Sequence, residues 1–281
     1  MHLDLHMHTT ESDGRLSPSE LVDLATTRDL RIIAVTDHDS TEGLEAAYQA
    51  AKNHPELHII PGIELSTDIP GSEVHILGYF LDYQDPKFQE TLREFRAARY
   101  DRGRRMVDKL REMGIYITWE RVLEIAGGGE GSVGRPHIAQ AMVEGGYIPE
   151  VKDAFDLYIG RNGPAYADRA KLTPEEAVGL IKSVGGQAVL AHPRDVLHNL
   201  EPVLDSLCAA GLAGMETYYF GYDAELREFL RSLCRERDII PCGGSDFHGI
   251  HGNHEAGLGN VDVPLETAER LFALAHQPLP V

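Results

Sequence analysis

Short apolar runs alternate with amphipathic stretches in the N-terminal third of the chain, and turn chemistry separates them. Residues 3–5 read as a short strand. Ser17-Pro18-Ser19-Glu20 is a capping box with proline at the first helical position, which predicts a helix through about Arg28. Ile32-Ile33-Ala34-Val35-Thr36 is a buried-strand run, and Asp37-His38-Asp39 follows it. A second helix is expected from Ser40 or Thr41 to just before Pro55. Residues 57–65 form the next strand, and 74–81 alternate in the manner of another.

The C-terminal third repeats this rhythm. Thr173-Pro174-Glu175-Glu176 opens a helix to Val184, and Gly185-Gly186 ends it. Strands are expected at 188–191, 214–218 and 239–242, with helices at 200–210, 224–237 and 264–275. Strands alternating with helices imply a largely parallel sheet, here of roughly seven strands. In a closed barrel the C-terminal strand ends meet on one face, where active sites form. The middle, 86–169, breaks the rhythm. It reads as helices near 88–112, 119–126, 136–145 and 150–159, with Gly127-Gly128-Gly129-Glu130-Gly131 as a flexible stretch. The expected organisation is a barrel from 1–85 and 170–281, with 86–169 inserted over its mouth.

Composition narrows the function classes. The 281 residues are 42% hydrophobic and 25% charged, an ordinary globular balance. No apolar run is long enough to span a bilayer, and the N-terminus does not read as a signal peptide. Cys208, Cys234 and Cys242 show no CxxC spacing, which fits reduced thiols in a cytoplasm. A net charge of −19 argues against long duplex DNA as a partner. It still permits a phosphorylated substrate, because bound divalent ions invert the local sign of a site.

Nine potential metal ligands fall where strands should end: His6, His8, Asp13, His38, Glu64, His75, His192, Asp246 and His248. His6 and His8 are two apart, so on a strand they share a face, and Asp246 and His248 repeat that spacing. Each residue alone has an ordinary reading, as a solvated strand residue, an Asx turn at Asp13 or a salt bridge at Glu64. Together they suggest a cluster of two or three ions, and His with carboxylate suits Mn, Zn or Fe. Asp37 or Asp39 would orient His38 through its other ring nitrogen. His251 and His254 are candidates for an outer position.

A second set is basic. Gly134-Arg135-Pro136-His137 precedes a helix, so Arg135 and His137 could grip phosphate beside the free amides of the helix start. The loop 160–166, with Arg169 and Lys171 after it, is a weaker candidate. Arg93, Arg96, Arg99, Arg102 and Arg105 recur every three residues. A solvated helix face is the plainer reading of that tract, and an anion-attracting wall is the functional one.

The set His6-x-His8, Asp13, Thr36-Asp37-His38, Glu64, His75, His192-Pro193 and Asp246-x-His248 resembles the PHP family, the polymerase and histidinol-phosphatase family of metal-dependent phosphoesterases. The resemblance implies an α/β fold, a distorted (β/α)7 TIM-like barrel, with two or three divalent ions. Mn is foremost among these, with Zn and Fe as alternatives. It implies that His6, His8, Glu64 and Asp246 hold one ion, that Glu64 bridges to a second with His75 and His192, and that Asp13, His38 and His248 hold a third. The middle segment looks like the TrpH-like subgroup, which implies removal of the 3′-phosphate from nucleoside 3′,5′-bisphosphates or 5′→3′ cleavage of short 5′-phosphorylated RNA. Attack would come from a metal-bridging hydroxide, with Asp246, His192 and Glu64 at the reaction centre and Arg135 and His137 anchoring a phosphate. The rivals are a metal-dependent amidohydrolase or deaminase, a non-catalytic binding module, and an accessory nuclease surface on a larger complex.

Overall fold

Alternation along the strands sorts the core into an inner and an outer shell. The computed structural model describes residues 2–128, 132–169, 171–249 and 257–280. Seven strands lie in one sheet in chain order: β1 (His2–Asp4), β2 (Leu30–Val35), β3 (His58–Ile69), β4 (Ser72–Tyr79), β5 (Gln187–Leu190), β6 (Gly214–Tyr218) and β7 (Ile240–Gly243). Leu3, Leu5, Ile32, Ala34, Ile60, Leu77, Tyr79, Val189, Ala191, Ile240 and Cys242 pack into one buried cluster drawn from both edges of the sheet. Such a cluster forms when a sheet curls on itself. The Tyr79 hydroxyl donates to the Leu5 carbonyl at 2.9 Å. Just past the strands, Met7 and Phe247 form a parallel bridge, with the His8 N–H donating to the Phe247 carbonyl at 2.8 Å. The segments just past the first and last strands therefore meet at the mouth of a distorted barrel.

The alternate residues face outward onto helices. Ile33 and Val35 pack with Leu21, Val22 and Ala25 of α1 (Pro18–Thr27) and with Leu44 and Ala47 of α2 (Gly43–Ala51). The capping box at Ser17 forms in both directions, with the Glu20 N–H donating to Ser17 Oγ and the Ser17 N–H to Glu20 Oε2. The middle segment carries α3 (Pro86–Glu112), α4 (Trp119–Ile125), α5 (Arg135–Glu144) and α6 (Val151–Ala154). An apolar cluster drawn entirely from residues 106–167 lies among them. The start of α3 belongs elsewhere, since Phe88 and Leu92 pack into the barrel's outer core. The helices α7 (Pro174–Ser183), α8 (Leu200–Ala210), α9 (Ala224–Arg237) and α10 (Leu265–Leu274) complete the outer layer.

Three local expectations change. β4 runs antiparallel to both β3 and β5, while the other pairings are parallel. His75 therefore sits near the start of a strand and Glu64 inside one, rather than after strand ends. Reversing β4 brings its first residues to the mouth where the parallel strands finish. The helix expected at 150–159 is split, with α6 passing into a π-helical turn at Phe155–Ile159. An unforeseen 3-10 segment, Pro193–Asn199, follows His192. Gly129, Glu130, Gly131, His251 and His254 lie outside the described residues.

Candidate metal centre and its basic wall

The backbone at the mouth is tied together by Asp4. This carboxylate is 1% exposed and accepts the N–H groups of Ser245 at 2.8 Å, Gly259 at 2.9 Å and His6 at 3.4 Å. It thereby links the end of β1 to the loop that carries Asp246 and His248. Gly244 permits the contact, because a Cβ there would lie 2.5 Å from the backbone N of His6. Asp246 sits at φ 54°, a left-handed conformation that aspartate tolerates better than most residues.

All nine sequence candidates converge there. His6 Nε2 and His8 Nε2 each lie 3.1 Å from Asp246 Oδ1 and 3.3 Å from Glu64 Oε2. Glu64 Oε1 lies 2.8 Å from His75 Nδ1 and 3.0 Å from His192 Nε2, while Glu64 Oε2 is 3.0 Å from His38 Nδ1. Asp13 Oδ1 is 3.3 Å from His248 Nε2, and Asp13 Oδ2 is 3.8 Å from His38 Nε2. Three overlapping groups have donor atoms all within 4.8 Å of one another: His6, His8, Glu64 and Asp246; His38, Glu64 and His75; His8, Asp13, His38 and His248. His192 reaches the cluster through Glu64. His8 and His38 each join two groups, where the resemblance implied one.

The donor set fits cations. Burial opposes charge on the carboxylates, yet His38 and His248 hold Asp13, His38 and His75 hold Glu64, and His6 and His248 hold Asp246 well below the usual carboxylate range. Burial also opposes protonated imidazoles, but Asp246 and Glu216 raise His6 well above its ordinary value. Glu64 lifts His192 to about 9, and Asp13 lifts His248 to about 10. At His38 burial prevails and the pKa falls to about 4. Among the described residues, four buried atoms of this set, His6 Nε2, Asp13 Oδ1, His38 Nδ1 and Glu64 Oε2, find no hydrogen-bond partner. Buried polar atoms are almost always satisfied. Convergent imidazole and carboxylate atoms left unsatisfied match what divalent ions require.

Residues unremarked in the sequence hold these groups in place. Glu216 is fully buried; its Oε1 lies 3.1 Å from His6 Nδ1 and its Oε2 accepts the His192 N–H at 2.7 Å. An acid inside the strand sequence Gly-Met-Glu-Thr-Tyr was the available signal, since a buried charge needs partners. The Tyr219 hydroxyl donates to Asp246 Oδ2 at 2.6 Å. Asp37 and Asp39 act differently from the expectation that one of them orients His38. Asp37 accepts from Thr9 and Ser12, fixing the turn before Asp13. Asp39 pairs with Arg99 at 2.6 Å and Arg169 at 2.9 Å.

A cavity of about 210 Å³ adjoins the cluster. It is bordered by Asp13, His38, His75 and His248 on one side, and by Arg99, Arg102, Arg135, Arg169 and Lys171 on the other. Two arginines of the basic tract thus turn inward, Arg99 and Arg102 being 8% and 6% exposed, while Arg93, Arg104 and Arg105 remain exposed. Arg135 pairs with Glu73 and lies over the Phe155 ring. His137 falls outside this cavity. Its Nδ1 accepts the Gly134 N–H at 3.0 Å, and burial lowers its pKa, so it serves as a neutral cap on α5. Among the described residues, no helix is long and apolar enough to cross a membrane.

The sequence pattern of the PHP domain matches residues 4–159. The 5′-3′ exoribonuclease Rnm of Salmonella typhimurium is 34% identical over 251 residues, covering 87% of this chain and 84% of the relative. A 3′,5′-nucleoside bisphosphate phosphatase of Chromobacterium violaceum is 32% identical over 254 residues, covering 88% and 87%. A crystal structure from Bifidobacterium adolescentis, described as a metal-dependent phosphoesterase, superposes with a TM-score of 0.89 at 32% identity, covering 97% of this chain and 96% of that one.

Proposed function

Since the chain belongs to the PHP domain family and is a hydrolase acting on phosphoesters, we propose that it removes the 3′-phosphate from nucleoside 3′,5′-bisphosphates, leaving 5′-nucleotides. The observation that carries this reading is one cavity bordered by four residues of the cluster, Asp13, His38, His75 and His248, and by five cationic side chains. A substrate with two phosphates can present one to each side. In this reading His6, His8, Glu64 and Asp246 hold one ion, His75 and His192 share Glu64 with a second, and Asp13, His38 and His248 hold a third. Mn is the first candidate. When bound, the ions supply Lewis acidity, neutralising phosphoryl oxygens and making water a nucleophile near neutral pH.

The chain's own residues do the rest. Glu64 spans His75 and His192 on one oxygen and His6, His8 and His38 on the other, so it sets the spacing of the cluster. Asp246, oriented by the Tyr219 hydroxyl, or His192 would handle protons at the reacting phosphate. Arg135, on the cavity wall, helps to hold the second phosphate, and His137 contributes by fixing the start of α5. The segment 86–169 acts as the substrate cap.

Cleavage of short 5′-phosphorylated RNA from its 5′ end needs the same two subsites, and the exoribonuclease relative supports it as the second reading. An amidohydrolase site of this kind would commonly place a lysine between two metals. Lys171 instead pairs with Glu73 and Asp68.

Phosphate release by the Mn-loaded protein from adenosine 3′,5′-bisphosphate, 3′-AMP, 5′-AMP and a 5′-phosphorylated short RNA tests the proposal. Selective release from the bisphosphate, leaving 5′-AMP, is expected. Equal efficiency on the RNA would move the assignment to the exonuclease, and inactivity on all four would overturn both.

A further inference from the structure

Of the five cations bordering the cavity, four are already held by acids. Asp39 takes Arg99 and Arg169, and Glu73 takes Arg135 and Lys171. Arg102 is different. Among the described residues its guanidinium has neither a carboxylate nor a hydrogen-bond partner, although the residue is 94% buried on its 6% exposure. It lies 5.7 Å from the centroid of the Tyr166 ring and borders the cavity. Burial, with Arg135 and Arg99 close by, pulls its pKa down to about 9 against the opposing pull of Glu73.

A guanidinium presents five donors in a planar fork, and burying it unpaired is costly. The tract explains its position. Arg99 and Arg102 are three residues apart on α3, so they share a face, and that face turns to the cavity. Arg99 uses its donors on Asp39 and on Ser66 Oγ at 2.6 Å, whereas Arg102 keeps all of its own. A tetrahedral dianion entering the cavity meets in Arg102 a donor that need not first leave an acid.

We propose that Arg102 is the specificity-determining residue of the anion subsite, the group that recognises the substrate's second phosphate. This rests on the two-phosphate reading above. Arg135 and Lys171 would have to exchange Glu73 for the ligand and so contribute a weaker preference. The planar fork suits two phosphate oxygens at once, which an ammonium cannot match.

The test compares wild type with Arg102→Met, Arg102→Lys and the exposed control Arg104→Met, all Mn-loaded. Two readouts are taken. The first is the ratio of kcat/KM for adenosine 3′,5′-bisphosphate to that for 3′-AMP, substrates that differ only in the 5′-phosphate. The second is binding of inorganic sulfate by titration calorimetry, which needs no turnover. Arg102→Met should lower the ratio at least tenfold, mainly through KM, and weaken sulfate at least tenfold. Arg102→Lys should fall between, and Arg104→Met should match wild type. A wild type without any preference for the bisphosphate would sink the two-phosphate reading, yet sulfate lost in Arg102→Met would still uphold the subsite. Sulfate binding and the ratio both unchanged in Arg102→Met would overturn the inference. Should Arg102→Met fail to fold, Arg102→Lys decides, and wild-type values in it count against the proposal.

Discussion

Glu216 Oε1 lies 3.1 Å from His6 Nδ1 inside the barrel mouth, and both side chains are wholly buried. The contact leaves His6 Nε2 as the nitrogen facing Glu64 and Asp246. Carboxylates behind metal-binding histidines fix ring orientation and raise basicity, and their loss costs about 10–100-fold in metal affinity or activity. Glu216→Gln should lower Mn affinity by about that factor while the fold persists. Metal content after dialysis against a graded chelator measures it, and wild-type retention would contradict the role.

Glu64 and Asp246 touch more of the cluster than any peripheral residue does. Glu64→Ala and Asp246→Ala should each abolish phosphoester turnover and reduce bound metal, as read by elemental analysis and phosphate release. Full activity in a metal-depleted variant would refute the metal assignment.

Metal removal should also destabilise the protein. An ion that binds only the folded chain adds about 2.7 kcal/mol at a free concentration near 100 times its Kd. The melting temperature should therefore fall on chelation and recover when Mn is added back. An unchanged melt across both steps would argue against ion binding at the cluster.

Asp39 should make the fold acid-sensitive. Burial raises its pKa, but Arg99 and Arg169 outweigh that and hold it well below the ordinary range. A depressed folded pKa adds stability that is fully present above the unfolded value, about 3.9. That stability is lost as pH falls through the folded value. Asp39→Asn should cost about 3–5 kcal/mol at pH 7, as broken buried pairs do. The gap from wild type should narrow below about pH 4. Urea midpoints at several pH values would show this, and a gap independent of pH would contradict it.

Gly244→Ala should disturb the centre from outside the ligand set. The added Cβ would lie 2.5 Å from the backbone N and the Cβ of His6, which cannot yield without moving β1. Overpacking of this kind costs about 1–3 kcal/mol. A lowered melting temperature together with weaker metal retention is expected.

Much of the barrel was legible because its signals are local. The capping boxes at Ser17 and Thr173 form as read, and the strands at β2, β5, β6 and β7 follow their apolar runs within a residue or two. The candidate cluster was legible through residue type and spacing. The i, i+2 pairs His6/His8 and Asp246/His248 each bring two donors to one place, and the structure gathers all nine candidates at the barrel mouth.

By itself, then, the sequence determined the alternating elements, the family and the set of imidazole and carboxylate residues that meet at the barrel mouth, since periodicity, caps and donor types act within a few residues. Tertiary structure decided what depends on distant partners. Sheet register reversed β4 and delivered His75 from a strand's beginning. Packing of α3 turned Arg99 and Arg102 inward while leaving Arg93, Arg104 and Arg105 outside, a division a regular arginine spacing does not reveal. Pairing settled which acids serve which bases, giving Asp39 to Arg99 and Arg169, and Glu216 to His6 and His192. These choices rest on contacts between residues that the barrel brings together from more than two hundred positions apart in some cases, as with His6 and Glu216, 210 positions distant. Local sequence carries no trace of which of several like charges will be buried against which partner.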